Sequence, residues 1–248
     1  MVMWGMKPFL SVIIPARNEA KRLPLTLIDV DKKLSERDYS YEIIVVSGGS
    51  TDDTADIVNR FSHIVKNLRL VDKKENRGKG WAVKVGMLEA DGNYRIFMDA
   101  DNATSIDQFD KMLPFFKEGY SVVVGSRAAK GAVLEPSQPW YRRIPGRMAN
   151  VIIRILLIRG IRDTQCGFKC FSEEAALRIF PLSKIDGWGF DVELLALARL
   201  FGYRIKEMPV RWVNDLNSKV GLGAYFSTLW DITRIRIWLW RGSYGNGQ

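Results

Sequence analysis

Two carboxylates, Asp99 and Asp101, stand at i and i+2 where the apolar run YRIFM ends. Burying both is costly unless a cation neutralises them. Mg2+ or Mn2+, hard ions that take carboxylate and phosphate oxygens, would do so. The same Asp99-Ala100-Asp101 tripeptide also suits a plain turn, with Asp101-Asn102 tolerant of left-handed backbone. Upstream, NRGKG (76–80) sets Lys79 between two glycines at a predicted helix start. Free N–H groups and the helix dipole attract anions there, although a helix start with no ligand has the same grammar. Asn18-Glu19, after the first apolar run, could bond a ribose or base, or simply cap a helix. The stretch VVSGGSTDDT (45–54) breaks at Ser47-Gly48-Gly49 but lacks the Gly-x4-Gly-Lys-Ser/Thr spacing, so it is no P-loop. Its Ser50 and Asp53 fit a capping-box-like helix start.

Two further groups carry charge in a pattern. In GFDVELL, Asp191 and Glu193 are two residues apart and cannot share one helix face. Asp191, nearer the helix start and following Trp188-Gly189, suits a sugar pocket; the alternative is an ordinary N-terminal helix charge. PWYRRIPGRMAN (139–150) offers Arg142, Arg143 and Arg147 beside Trp140 and Tyr141. Guanidinium groups bind phosphate as a bidentate fork, while a run of arginines is also the pattern of a solvated face.

The elements that must hold these residues alternate over the first half. Strands are predicted at 9–15, 41–47, 67–72, 94–100 and 121–126, and helices at 19–34, 52–62, 80–90 and 105–117. Continuous apolar strands alternating with helices argue for an α/β fold with a mostly parallel sheet covered on both faces. Ligands bind beyond the carboxyl ends of such strands, where the loops 16–19, 47–53, 73–79 and 99–104 fall. Residues 127–147 are polar, with Pro136, Pro139 and Pro145, and a loop of that length is usually functional. Beyond it the pattern predicts a helix at 149–158, extended chain at 163–171, a helix at 187–202 and an edge-like strand at 204–213 interrupted by Pro209. The tail YFSTLWDITRIRIWLWRG (225–242) is aromatic and basic, with Trp238 and Trp240 amid Arg234, Arg236 and Arg241. Interfacial segments combine such residues. The segment 149–161 keeps Arg154 and Arg159 among Ile, Leu and Val, and either segment could instead be an ordinary amphipathic core helix.

Of 248 residues, 37 are Lys or Arg and 28 Asp or Glu, a net charge of +9. That excess favours polyanionic partners, whether nucleic acid, nucleotide phosphates or an anionic membrane. A nucleic-acid partner explains the charge but not Asp99, Asp101, Asp107 and Asp110 grouped together, and none is expected. Cys166, Cys170 and His63 fall short of a four-ligand zinc site, so two reduced thiols in a cytosolic setting are expected. No apolar run reaches the roughly 18 residues needed to span a bilayer, and MVMWGMKPF has no signal-peptide layout. Attachment to a membrane is therefore expected to be peripheral, on the cytoplasmic face.

Taken in order, SVIIPARNEAKRLP, VVSGGSTDDT, NRGKGWAVKVGM, MDADNAT, GSR, IRDTQCGFKCF and WGFDVELL resemble the family 2 nucleotide-sugar glycosyltransferases. The resemblance runs from about Phe9 to about Trp212 and is greatest to the branch that glucosylates or mannosylates a polyprenyl (dolichyl) phosphate. It implies one GT-A domain over 1–248, a Rossmann-like fold whose residues 9–126 bind the nucleotide sugar and 127–248 the acceptor and membrane. It implies a DxD motif in which Asp101 binds Mg2+ or Mn2+ and Asp99 the metal or ribose, beside Ala100. Pro15, Arg17, Glu19, Ser47 and Gly49 would line the nucleoside pocket and Lys79 would face the diphosphate. Gln165 would touch donor or acceptor, and Asp191 the sugar. Arg127 of GSR would join Arg142, Arg143 and Arg147 around the acceptor phosphate. The implied reaction is inverting hexose transfer, with UDP-glucose favoured over GDP-mannose as donor. Transfer to a glycan or glycerolipid hydroxyl, with Asp191 as base, and a non-catalytic nucleotide- or lipid-binding descendant are the alternatives. Two departures bear on the donor: Ser47-Gly48 stands where the family usually has two acids, and Arg17 where an aromatic is common. Oligomeric state is not encoded in any of these motifs.

Overall fold

The computed structural model describes residues 7–135, 153, 157–213 and 223–245. Arg142, Arg143 and Arg147 lie outside them, as does most of the helix expected at 149–158. The first half alternates as its periodicity predicts: β1 (Leu10–Ala16), α1 (Leu23–Ser35), β2 (Tyr41–Gly48), α2 (Thr54–Phe61), β3 (Leu68–Lys73), α3 (Lys79–Glu89) and β4 (Tyr94–Met98). α1 starts four residues later than its apolar pattern suggests. Residues 19–22 instead form a turn, and Pro24, whose missing N–H is harmless only in a first helical turn, sets the start. The helix expected over 105–117 is likewise divided, into a 3-10 turn (Ile106–Lys111) and the short α4 (Leu113–Lys117), with Pro114 in its first turn.

β5 (Val122–Ser126) and β6 (Val133–Glu135) follow, then β7 (Phe168–Ser172), α5 (Glu173–Ile179), α6 (Phe190–Leu200), β8 (Ile205–Pro209), β9 (Arg211–Val213) and α7 (Gly223–Trp240). The expected strand 204–213 is two strands: β8 ends on Pro209 and forms the edge of the main sheet, while β9 pairs with β6 in a small second sheet. The main sheet has seven strands in the order β3-β2-β1-β4-β7-β5-β8. All neighbours are parallel except β7, which runs antiparallel to both β4 and β5.

Alternate residues of one strand feed opposite faces, as a period of two requires. Ile13, Ile44, Val46 and Phe97 pack under α3 and α6, while Val12, Ile14, Ile43, Val45 and Met98 pack under α1. β7 matters most for function. Because it runs against β4, with Met98 paired to Phe168, its start lies at the edge where β4 ends. Residues 163–167 are thereby delivered beside Asp99.

Candidate active site

At the end of β4 the chain turns on Asp99, whose carbonyl accepts the Asn102 N–H at 3.2 Å, and Asn102 has φ of 54°. The expected turn forms, and its left-handed asparagine leaves two acids side by side at the strand's carboxyl edge. Asp99 lies flat on Gly167, where an added Cβ would sit 2.1 Å from Oδ2. A side chain at this position would have to push the Asp99 carboxylate aside.

Lys79, the first residue of α3, donates to Asp99 Oδ1 and lies 5.7 Å from the Trp188 ring centroid. Burial works against its ammonium, yet the carboxylates of Asp99, Asp191 and Asp101 outweigh it and raise the pKa. The glycines of NRGKG act here through close packing. A Cβ on Gly78 would meet the Asp186 carbonyl oxygen at 2.4 Å, and one on Gly80 the Phe190 Cβ at 2.6 Å. The loop 185–190 can therefore dock on the first turn of α3, bringing Trp188 and Asp191 to the lysine.

Asp191, in the first turn of α6, accepts from Lys169 Nζ, which also donates to the Cys166 carbonyl at 2.7 Å. Both side chains are almost wholly buried. Burial raises the Asp191 pKa against the pull of Lys169 and Lys79. Burial and then Asp99 raise that of Asp101, against the Ala103 N–H at 3.0 Å, Arg22 and Lys79. Lys169, Asp191, Lys79, Asp99 and Asp101 thus form one chain of charges running from the core to the rim. Glu193 lies outside it. Its carboxylate accepts the N–H groups of Lys184 and Ile185 and the Tyr244 hydroxyl, and burial raises its pKa. The separation expected of an i, i+2 pair holds: one acid serves the site, the other ties down the loop beneath it.

The residues expected to line a nucleoside pocket lie at the ends of β1 and β2 and on the loops that follow. Ser50 Oγ accepts the Asn18 N–H at 3.2 Å and the Ser47 hydroxyl at 3.3 Å, and Asn18 Oδ1 accepts the Thr51 N–H at 2.8 Å. The capping box expected from Ser50 and Asp53 does not form, because Ser50 is committed to Asn18. Asp52 takes the role, accepting the N–H groups of Thr54 (3.1 Å) and Ala20 (3.2 Å). Against the opposing effect of burial, these bonds and the Thr54 hydroxyl hold its pKa down. Ser47 is fully buried, Gly49 has φ of 62°, and Pro15 sits half-buried near the end of β1. The Glu19 carboxylate is turned to Arg22, with both bonds at 2.7 Å. With its amide oxygen facing Arg17, Asn76 accepts from both guanidinium nitrogens, at 3.1 and 3.2 Å.

Arg127 ends up in a bidentate pair with Asp163, Nε–Oδ2 2.7 Å and Nη2–Oδ1 2.9 Å, and 5.6 Å from the Trp212 ring. Burial disfavours both charges, and the pair overcomes it, raising the Arg127 pKa and lowering that of Asp163. The Gln165 N–H also reaches Asp163, at 3.3 Å. Ala100 is buried, and its carbonyl accepts the Thr26 hydroxyl at 2.7 Å. Two participants escaped the sequence reading, Lys169 and Asp163. The signal for Lys169 was a lone cation inside the apolar run FKCF.

Hard oxygen donors, two carboxylates on one turn, suit Mg2+ or Mn2+, which bind one or two carboxylates and complete their shell with substrate phosphates and water. No ion pair reaches Asp101 among the described residues, and no group of three or more His, Cys, Asp or Glu gathers there as an all-protein cage. Cys166 and Cys170 are buried free thiols, and burial pushes Cys166 up to about 12.

The sequence model described as Glycosyl transferase family 2 matches residues 11–180, a span that holds Asp99, Asp101, Lys79 and Lys169. The chain belongs to that family. Among relatives of this glycosyl transferase, the dolichyl-phosphate beta-glucosyltransferase of Dictyostelium discoideum is 40% identical over 244 residues, covering 92% of this chain and 74% of its own. Among solved structures, the Mycobacterium tuberculosis glucosyl-3-phosphoglycerate synthase in complex with UDP aligns with a TM-score of 0.66 at 19% identity, over 92% of this chain and 80% of that one. The Pyrobaculum calidifontis mannosyltransferase in complex with GDP-Man and Mn2+ aligns at 0.59 and 21% identity, over 94% and 64%. At such identities these structures establish the fold, a GT-A-like α/β sheet.

Proposed function

We propose that this family 2 glycosyltransferase is an inverting hexosyltransferase that moves glucose from UDP-glucose to a dolichyl or other polyprenyl phosphate. The observation that carries the reading is the junction of Asp99 and Asp101 with Lys79 and Asp191 at one sheet edge, in a chain 40% identical to a dolichyl-phosphate beta-glucosyltransferase. A lipid-borne acceptor would hold the protein at a membrane surface, on its cytoplasmic face. No described helix is long and apolar enough to cross.

In the proposed displacement, an oxygen of the lipid phosphate attacks the anomeric carbon. The bond from that carbon to the donor diphosphate breaks, and the nucleoside diphosphate leaves with the electron pair. Mg2+ or Mn2+ held by Asp101 and Asp99 would supply positive charge against the diphosphate. Lys79, kept protonated by the acids around it, would swing from Asp99 to the leaving diphosphate and stabilise its growing charge. The attacking phosphate is already anionic, so no base need take a proton from it. Asp191, fixed by Lys169, is then free to orient the sugar. Pro15, Arg17, Glu19, Ser47 and Gly49 would frame the nucleoside, with Gln165 at the sugar's edge, and Arg127, Arg142, Arg143 and Arg147 would receive the acceptor phosphate.

Purified protein mixed with labelled UDP-glucose, Mn2+ or Mg2+ and a polyprenyl phosphate should transfer label to the organic phase. GDP-mannose run in parallel reports the donor, and no transfer from either would overturn the reading. Asp101→Ala should abolish metal-dependent transfer and weaken Mn2+ binding measured by calorimetry. Arg143→Ala should raise the acceptor KM while leaving UDP binding unchanged.

A further inference from the structure

We infer that the outward face of α7 is a docking surface for an anionic lipid bilayer, an inference that rests on the lipid-phosphate reading above. The helix is two-sided. Asp231, Ile232 and Ile235 are buried inward, Arg234 pairs with Asp231 at 3.3 Å, and Trp238 packs edge-on against Tyr244. Outward, Trp230 is 67% exposed and Trp240 82%, with Leu229 and Ile237 between them. Arg236 and Arg241 are exposed on the same side, and residues 229, 230, 233, 236, 237 and 240 follow the spacing of one helical face. Large apolar side chains gathered in one exposed patch mark a contact surface. The chemistry of the patch selects the partner. Indole rings settle at the headgroup level of a bilayer, and arginines extend their heads to lipid phosphates while their stems lie along apolar surface. The single acid of the helix, Asp231, is on the inner face, so nothing on the outer face repels an anionic lipid.

The inner face ties this surface to the site. Asp231 fills the space a side chain at Gly189 would need, with Cβ to Cβ at 2.5 Å, and its carboxylate accepts the Gly189 N–H. Gly189 adjoins Trp188, the ring beside Lys79. A helix lying on the bilayer would thus hold the sugar-transfer edge close to the plane of the lipid phosphates. The aromatic and basic tail expected to be interfacial is divided by the fold: Trp240 and Arg236 face out, whereas Trp238 and Arg234 face in.

The test is flotation of the full chain with phosphatidylcholine vesicles, with and without phosphatidylglycerol. Wild type should float with the anionic vesicles. Trp230→Gln/Trp240→Gln should lower the bound fraction on the order of tenfold, because affinity follows the apolar area inserted. Arg236→Gln/Arg241→Gln should remove only the preference for anionic lipid. Both substituted pairs are exposed, so thermal unfolding should be unchanged. Transfer to a short, water-soluble prenyl phosphate should also persist, while transfer to a long-chain acceptor in vesicles falls. Wild-type flotation by the tryptophan variant would overturn the inference, as would its conversion from an oligomer to a monomer, which would make the face a contact between copies. Loss of transfer to every prenyl phosphate by a wild-type protein that still floats would instead overturn the acceptor reading and leave the docking surface standing.

Discussion

Ser47 is where a single residue sets the donor question. It is fully buried at the end of β2, and its hydroxyl has turned to Ser50. Ser47→Asp would place a charge there that in the free protein has little beyond the Ser50 hydroxyl to satisfy it, which lowers stability. A nucleobase N–H would supply the missing donor, and hydrogen bonds to charged acceptors are the stronger kind. The variant should therefore melt earlier than wild type when free, yet show a larger UDP-induced rise in melting temperature and several-fold tighter UDP binding by calorimetry. Equal UDP binding would mean that this loop does not read the base. At this scale much was legible: Asp99, Asp101 and Lys79 could be picked out because acids and a glycine-flanked lysine are conspicuous at strand and helix ends. Lys169 was not, because its role depends on β7 running antiparallel, a pairing that no local periodicity reveals.

Elements position these residues through contacts that leave little freedom. Lys169 on β7 and Asp191 on α6 are buried against each other, and removing one strands the other charge. Lys169→Met should cost about 3–5 kcal/mol, read as a shift in the denaturation midpoint. Lys169→Met/Asp191→Leu should recover most of that stability without recovering transfer, since the carboxylate proposed to orient the sugar is gone. If Lys169→Met kept both stability and wild-type kcat, the pair would be neither structural nor functional. Gly167→Ala tests the neighbouring contact. Its methyl would drive Asp99 off its seat, so Mn2+ binding should weaken while the far-ultraviolet dichroism of the sheet is retained. The strand-helix alternation was read correctly because buried parallel strands leave long apolar runs. Boundaries moved wherever a proline ruled: Pro24 delayed α1, Pro114 divided the helix after β4, and Pro209 separated β8 from β9. Ser50 and Asp53 misled for a different reason, since Asn18, distant in sequence, captured the serine that local grammar assigned to a cap.

For the molecule as a whole, pH divides the buried carboxylates into two groups with opposite effects on stability. Asp163 has its pKa held below the ordinary value by Arg127 despite burial, so the folded state binds fewer protons there than the unfolded chain. Its contribution is complete above the unfolded value of about 3.9 and is lost as pH falls through the lower folded one. Glu193 is the reverse: burial raises its pKa, so its contribution is complete below the ordinary glutamate value and is lost as pH rises through the folded one. Asp163→Asn should therefore lower stability at neutral pH, by about 3–5 kcal/mol with Arg127 left uncompensated, and flatten the acid limb of the stability curve. Glu193→Gln should leave that acid limb intact and flatten the slope on the alkaline side of the ordinary glutamate value. Thermal unfolding followed by circular dichroism from about pH 3 to about pH 8 at fixed ionic strength reads both. Parallel curves for the two variants would show that neither carboxylate differs between the folded and unfolded states. An Asp163→Asn curve as steep as wild type on the acid limb would mean that the Arg127 pair, which anchors the loop delivering Gln165 and Gly167 to Asp99, does not hold the edge of the sheet on which the proposed chemistry depends.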